Sequence, residues 1–254
     1  DTGPVAALPV RPLRWRRSSD VAIPLELKLP DGAAGIKKGG PLRIVAKVGP
    51  LPPVSSLAFR GDGRLLAVGT YGQVVLWDLM EARPIGTIGG LPGPVHAVGF
   101  TRDGKRLAVG SGLSARAGVV RVHAVPGGEL LHEFSGHGDV VFAFAFRPDG
   151  AQLASASFDQ TVRLWNLSTG KSDGVFRGHS DFVEAIAYTR DGRSILSAGK
   201  DRAIKRINVQ TLKEEQTYSS HDDDVLSLAL HPDGLRFVSS GNEPQLRWWN
   251  LDSS

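Results

Sequence analysis

Cysteine is absent from all 254 residues, which excludes disulfides, Cys-ligated zinc, iron–sulfur clusters and a thiol nucleophile within this chain. The same absence leaves the compartment open between cytoplasm and periplasm. Methionine occurs once and not at the start, where Asp1 stands, so a processed chain or a segment cut from a longer one is expected, and the second is favoured. Aromatic residues are thinly spread at 7%. No apolar run approaches the ~18 residues of a membrane span, and the first residues lack the charged start and apolar run of a signal peptide. Neither sign of charge dominates. The formal net charge of +4 suits acidic partners without implying nucleic acid.

What is present in quantity is glycine, 31 residues, together with a repeat. Asp-Gly pairs stand at Asp62-Gly63, Asp103-Gly104, Asp149-Gly150, Asp191-Gly192 and Asp233-Gly234, spaced by 41, 46, 42 and 42 residues. A strand-like run precedes each pair: Val54 to Phe59, Val95 to Phe100, Val141 to Phe146, Val183 to Tyr188 and Val225 to Leu230. Along these runs small side chains such as Ala143 and Ala145 alternate with large ones such as Phe144 and Phe146. Both faces are apolar, so each strand must be covered on both sides, and stacked sheets with large residues of one against small residues of the next satisfy this. A second strand, as in Leu153 to Ser157, and a third, as in Thr161 to Trp165, follow each pair. Glycine supplies the positive φ that the tight connection requires.

Pro50, Leu91, His137, His179 and His221 stand four residues before the five runs, and the third strands end in Leu76-Trp77-Asp78, Val122-His123-Ala124, Leu164-Trp165-Asn166, Arg206-Ile207-Asn208 and Trp248-Trp249-Asn250. The period, the Gly-His start and the Trp-Asp-like end resemble the WD40 family of β-propellers over roughly residues 41 to 251. The expected fold is therefore all-β, with five recognisable four-stranded blades near residues 50–90, 91–136, 137–178, 179–220 and 221–251. Five blades are compatible with a closed ring or with most of a seven-bladed one. The last blade lacks an outer strand, and residues 41–48 are the candidate to supply it. Residues 1–40, rich in proline, read as a linker or extended arm. This arm and the phrase from Gly241 to Asn250 resemble bacterial WD40 proteins that carry a c-type cytochrome or another domain ahead of the propeller. The second repeat has about four extra residues around Ser111 to Gly118, expected as a longer loop between its second and third strands.

His137, Ser155, Asp159 and Trp165 include a Ser-His-Asp set. In the resemblance, however, these positions form a structural hydrogen-bonded tetrad within one blade, so no catalytic residue is expected. The fourth repeat keeps His179, Ser197 and Asp201 but has Ile207 for tryptophan, and the fifth has Glu243 in place of the aspartate. No metal site and no cofactor are expected. His221-Asp222-Asp223-Asp224 reads as a solvated acidic loop.

Charge segregates by loop. The turns with the Asp-Gly pairs gather arginines, among them Arg60, Arg102, Arg147 and Arg190, while the opposite loops gather Asp139, Asp181, Asp222, Asp223 and Asp224. The resemblance implies that partners dock on the latter face, which would carry Asp139, Phe158, Asp181, Lys200, Asp223 and Asn242, with an exposed Phe158 as anchor. The function expected is a non-catalytic scaffold for protein–protein interaction, probing a protein partner of unknown identity and forming a module of a larger bacterial protein. The alternative is the propeller domain of a hydrolase or oxidoreductase, serving as a substrate platform for a catalytic domain outside this segment. Nucleic-acid binding ranks lowest, because no aromatic residues interleave the basic ones.

Overall fold

A computed structural model describes residues 53–219 and 221–252. The arm at 1–40 and the candidate closing strand at 41–48 lie outside the described residues. Among the described residues the secondary structure is β-strand and turn, with no helix.

Nineteen strands form five antiparallel sheets in chain order. Blade 1 comprises β1 (Ser56–Phe59), β2 (Leu65–Gly69), β3 (Val74–Asp78) and β4 (Arg83–Ile88). Blade 2 comprises β5 (Val95–Phe100), β6 (Arg106–Leu113), β7 (Ala117–Ala124) and β8 (Leu130–His137). Blade 3 comprises β9 (Val141–Phe146), β10 (Gln152–Ser157), β11 (Val162–Asn166) and β12 (Ser172–Phe176). Blade 4 comprises β13 (Val183–Tyr188), β14 (Ser194–Gly199), β15 (Ile204–Asn208) and β16 (Glu214–Tyr218). Blade 5 has three strands, β17 (Val225–Leu230), β18 (Arg236–Gly241) and β19 (Arg247–Asn250).

Each meander contains the same turn between its first and second strands. In all five, the aspartate side chain accepts the backbone N–H two residues on, at 2.8–3.0 Å. The following glycine has φ between 67° and 75°, a region closed to most L-residues. The turn therefore needs both members of the pair.

Between blades, small packs on large. Ala143, Ala145, Ala154 and Ala156 of blade 3 meet Ile186, Tyr188, Ile195 and Ile207 of blade 4 in one buried cluster. The same arrangement recurs between blades 1 and 2, 2 and 3, and 4 and 5. The apolar side chains at these interfaces are buried, so deleting a buried Leu or Ile side chain there would cost about 2–5 kcal/mol. At the ends of the series the partner faces are open. Leu57 and Phe59 of blade 1 are each 59% exposed, at the positions where blade 3 packs Phe144 and Phe146. Trp248 of blade 5 is 64% exposed, where earlier blades bury Leu76, Val122 and Leu164. Among the described residues β17 and β1 do not pack on each other as neighbouring innermost strands do, so these five sheets alone do not close a ring.

The extra residues of the second repeat do not form a long loop. They lengthen β6 and β7, whose pairing runs from Arg106 opposite Ala124 out to Leu113 opposite Ala117. Glycine permits this extension to lie against blade 3: a Cβ on Gly112 would sit 2.8 Å from the Val140 Cα, and one on Gly118 would meet the Asp139 carbonyl oxygen. A polar or bulky residue at either position would push the hairpin off its neighbour.

Candidate functional site

The tetrad residues of blade 3 come together as one chain of donors. The Trp165 indole N–H donates to the Ser155 hydroxyl oxygen at 2.8 Å, that hydroxyl lies 2.7 Å from His137 Nε2, and His137 Nδ1 lies 2.9 Å from the Asp159 carboxylate. Neutral His137 with its proton on Nδ1 satisfies every link. Thr161 and the Gly138 N–H also donate to Asp159. Burial drives the His137 pKa below its ordinary value, against the pull of Asp159. Burial acts to raise the Asp159 carboxyl, but the hydrogen bond and charge of His137, with Thr161 and Gly138, hold it well below the carboxylate range.

The order of contacts is that of a serine nucleophile with its base and orienting acid. Access differs, however. Ser155 is 0% exposed and its oxygen already accepts the tryptophan N–H, so no substrate atom reaches it without opening the blade. In blade 4, His179 joins Ser197 and Asp201, each at 2.7 Å, and buried Ile207 fills the tryptophan position. In blade 5, Ser239 bridges His221 and Trp249 at 2.7 Å each, but the Glu243 carboxylate stops 3.7 Å from His221 Nδ1, which has no hydrogen-bond partner. Glu243 instead accepts from the Asp222 N–H and from Arg247.

A second feature lies at the loop ends of the innermost strands and was not legible from the repeat. In blades 2 to 5 the pairing of the first and second strands slips by one residue at the same level. His96, Phe142, Glu184 and Leu226 are the residues skipped, each the extra residue of a β-bulge. A bulge takes its side chain out of the ordinary alternation and re-aims it, often at a rim or functional site. Here two of the four begin an aromatic ladder: His96 stacks on Phe142 with centroids 5.2 Å apart, Phe142 on Phe158 at 5.1 Å, and Phe158 on Phe182 at 4.4 Å. The Lys200 ammonium stands 5.5 Å from the Phe182 centroid and ends the ladder. Three blades contribute to it.

This geometry changes the reading of Phe158. It is half-buried with both ring faces covered, rather than an isolated exposed anchor. Of the other residues expected on this face, Lys200 joins the ladder, and Asp181 accepts the Phe182 N–H at 2.7 Å. Asp139 is tied to blade 2 by the Ala115 N–H at 3.0 Å and also accepts the Val140 N–H. Asp223 and Asn242 are exposed and flank Asp224, whose backbone carbonyl accepts the Asn242 N–H at 3.2 Å. The signal that could have found the ladder is the recurrence of phenylalanine at 142, 158 and 182, but its members sit at three different positions of the repeat.

Serial four-stranded antiparallel sheets, packed face to face and built on one repeated turn, define a β-propeller of meander blades. The family model of the WD domain, G-beta repeat, matches residues 46–78, 128–166, 170–207 and 212–250, more than half of the chain. The chain belongs to the WD40 family. It is similar to periodic tryptophan protein 2 of Saccharomyces cerevisiae, 30% identical over 46% of this chain and 12% of that protein. It is also similar to autophagy-related protein 18 of Schizosaccharomyces pombe, 32% identical over 38% of this chain and 26% of the relative. Transducin beta-like protein 3 of Rattus norvegicus is 33% identical over 45% of this chain and 14% of the relative. The matched region thus spans 12% to 26% of the length of these relatives.

Proposed function

We infer that this chain is a non-catalytic scaffold that binds a protein partner through the face carrying Asp139, Phe158, Asp181, Lys200, Asp223 and Asn242, as a module of a larger bacterial protein with residues 41–254 as its propeller domain. The observation that carries this reading is the aromatic ladder across blades 2, 3 and 4, a partly open apolar strip among acidic loops. Such strips, rimmed by polar residues, are where interfaces concentrate their energy. Membership of the WD40 family supports a binding role, and the enclosure of Ser155 supports the absence of acyl-transfer chemistry at the fully hydrogen-bonded set of blade 3. The tetrads are read as structural on the same ground.

The test is quantitative capture of partners from the source organism by wild-type protein and by the Phe158→Ala/Asp181→Ala variant, matched for melting temperature. Loss of a partner retained by the wild type supports the reading. Equal recovery of every partner by both proteins overturns the assignment of this face.

A further inference from the structure

The open end of the ladder has a built-in charge pattern. Phe182 lies against Phe158 on one side, and Lys200 supplies a cation to its ring. Two residues along the same chain, the bulge residue Glu184 is only 7% exposed. Among the described residues its carboxylate has no hydrogen-bond partner, yet its oxygens are not fully enclosed. Such a group is costly to leave unmatched. Glu184 is the bulge residue of blade 4 that matches the ladder residues Phe142 of blade 3 and His96 of blade 2. Burial raises its pKa, Lys200 opposes the rise, and Asp224 and Asp181 add to it. The neighbouring loop adds the exposed Asp222 and Asp223. Among the described residues the cation that stands on a ring of the ladder is Lys200, 5.5 Å from the Phe182 centroid.

Resting on the scaffold reading above, we propose that the partner segment is basic and that one of its arginine side chains replaces Lys200 on Phe182, with Glu184 as its counter-ion. A guanidinium suits the place better than an ammonium. It is planar, stacks on an aromatic face, sheds water more readily and offers several donors to a carboxylate that has none. Lys200 is then a placeholder that keeps the site neutralised when empty and is free to swing into solvent when the guest arrives. The surrounding aspartates steer a basic segment to this face and repel an acidic one.

The probe is a fluorescent pentapeptide with two arginines, compared with its isostere carrying neutral citrulline in both positions, titrated by anisotropy at low ionic strength. The arginine peptide is expected to bind about tenfold more tightly than the citrulline peptide. Glu184→Gln, which keeps shape and removes the charge, is expected to weaken it about fivefold. Lys200→Gln should tighten it about threefold, whereas Arg202→Gln, an equal charge change on an exposed residue of the same turn, should leave it within about 1.5-fold. Equal binding of the two peptides overturns the proposal, as does an equal gain from Lys200→Gln and Arg202→Gln, which would mark a diffuse field and no seat on Phe182. Tighter binding of an acidic peptide overturns it as well. Each variant is first melted, and Glu184→Asp serves as a second carboxylate variant if Glu184→Gln does not fold. Failure here with partner loss in the Phe158→Ala/Asp181→Ala capture leaves the scaffold face standing and removes only the arginine. Failure of the capture with the peptide results intact does the reverse.

Discussion

Blades 1 and 2 hold their sheets together differently from blades 3, 4 and 5. In the later blades a buried histidine meets a buried serine, as His137 with Ser155, His179 with Ser197 and His221 with Ser239. In blade 2 the same two positions are Leu91 and Val109, both in one apolar cluster, and in blade 1 the serine position is Val68. Histidine and serine are kept together or replaced together. Losing one alone leaves a buried donor or acceptor without a partner, whereas replacing both with apolar groups is close to neutral. Blade 2 retains a remnant: His123 stands at the tryptophan position, bonds Gly128 through Nδ1, and leaves Nε2 buried without a partner. The difference teaches that the histidine–serine pair of the tetrad and an apolar pair are two ways to fill the same buried positions, provided the two residues change together.

The sharpest way to break that comparison is Ser155→Val. It strands the Trp165 N–H and His137 Nε2 inside blade 3 and is expected to cost about 2–4 kcal/mol, read from chemical denaturation. Adding His137→Leu, which copies blade 2, should recover about 1 kcal/mol or more. A double variant no more stable than the single one would refute the interchangeability. Next in size, Asp159→Ala removes the acceptor of His137 and Thr161 together and should cost about 1–3 kcal/mol. Acidification gives a smaller and differently shaped effect. The folded-state pKa of His137 lies below its ordinary value of 6.5, so its contribution is full above that value and is lost as pH falls toward the folded pKa. Melting temperature should therefore decline on going from neutral pH to about pH 5, and decline less in the His137→Leu/Ser155→Val double variant. The smallest effect is a gain. Glu243→Asp restores the residue type that bonds histidine in blades 3 and 4 and should stabilise blade 5 by about 0.5–1 kcal/mol through His221 Nδ1. No rise in melting temperature would mean that the grip of Arg247 on the carboxylate decides its position.

Much of the fold was legible because it rests on short-range rules. The Asp-Gly pairs announce their turns through glycine φ and an aspartate acceptor, and four of the five first strands run over the residues that alternation indicated, from Val95, Val141, Val183 and Val225. The grouping of His137, Ser155, Asp159 and Trp165 came from the family resemblance and from no short-range rule, since the four residues are joined only through tertiary hydrogen bonds. What escaped was set by registers between strands. A one-residue slip at Phe142 or Glu184 leaves the spacing of the sequence unchanged, since the extra residue is present in each of blades 2 to 5. The longer second repeat was misleading because a count of residues does not say whether they pair. Ser111 to Leu113 do pair, with Ala117 to Val119 across a three-residue turn, since two glycines let the hairpin rest on Val140 and Asp139. The burial of Phe158 escaped because the rings that cover it come from other positions of the repeat.

The alternation of small and large faces gives the series a direction. Each of blades 2, 3 and 4 is a socket toward its successor and a plug toward its predecessor. Two plugs or two sockets do not mate, so any addition must arrive in the orientation already present. Within that constraint the unit of change is the whole blade: duplicating blade 3 in tandem would present a plug and a socket of the kinds already there, and the one junction to be made anew would be that between the two copies.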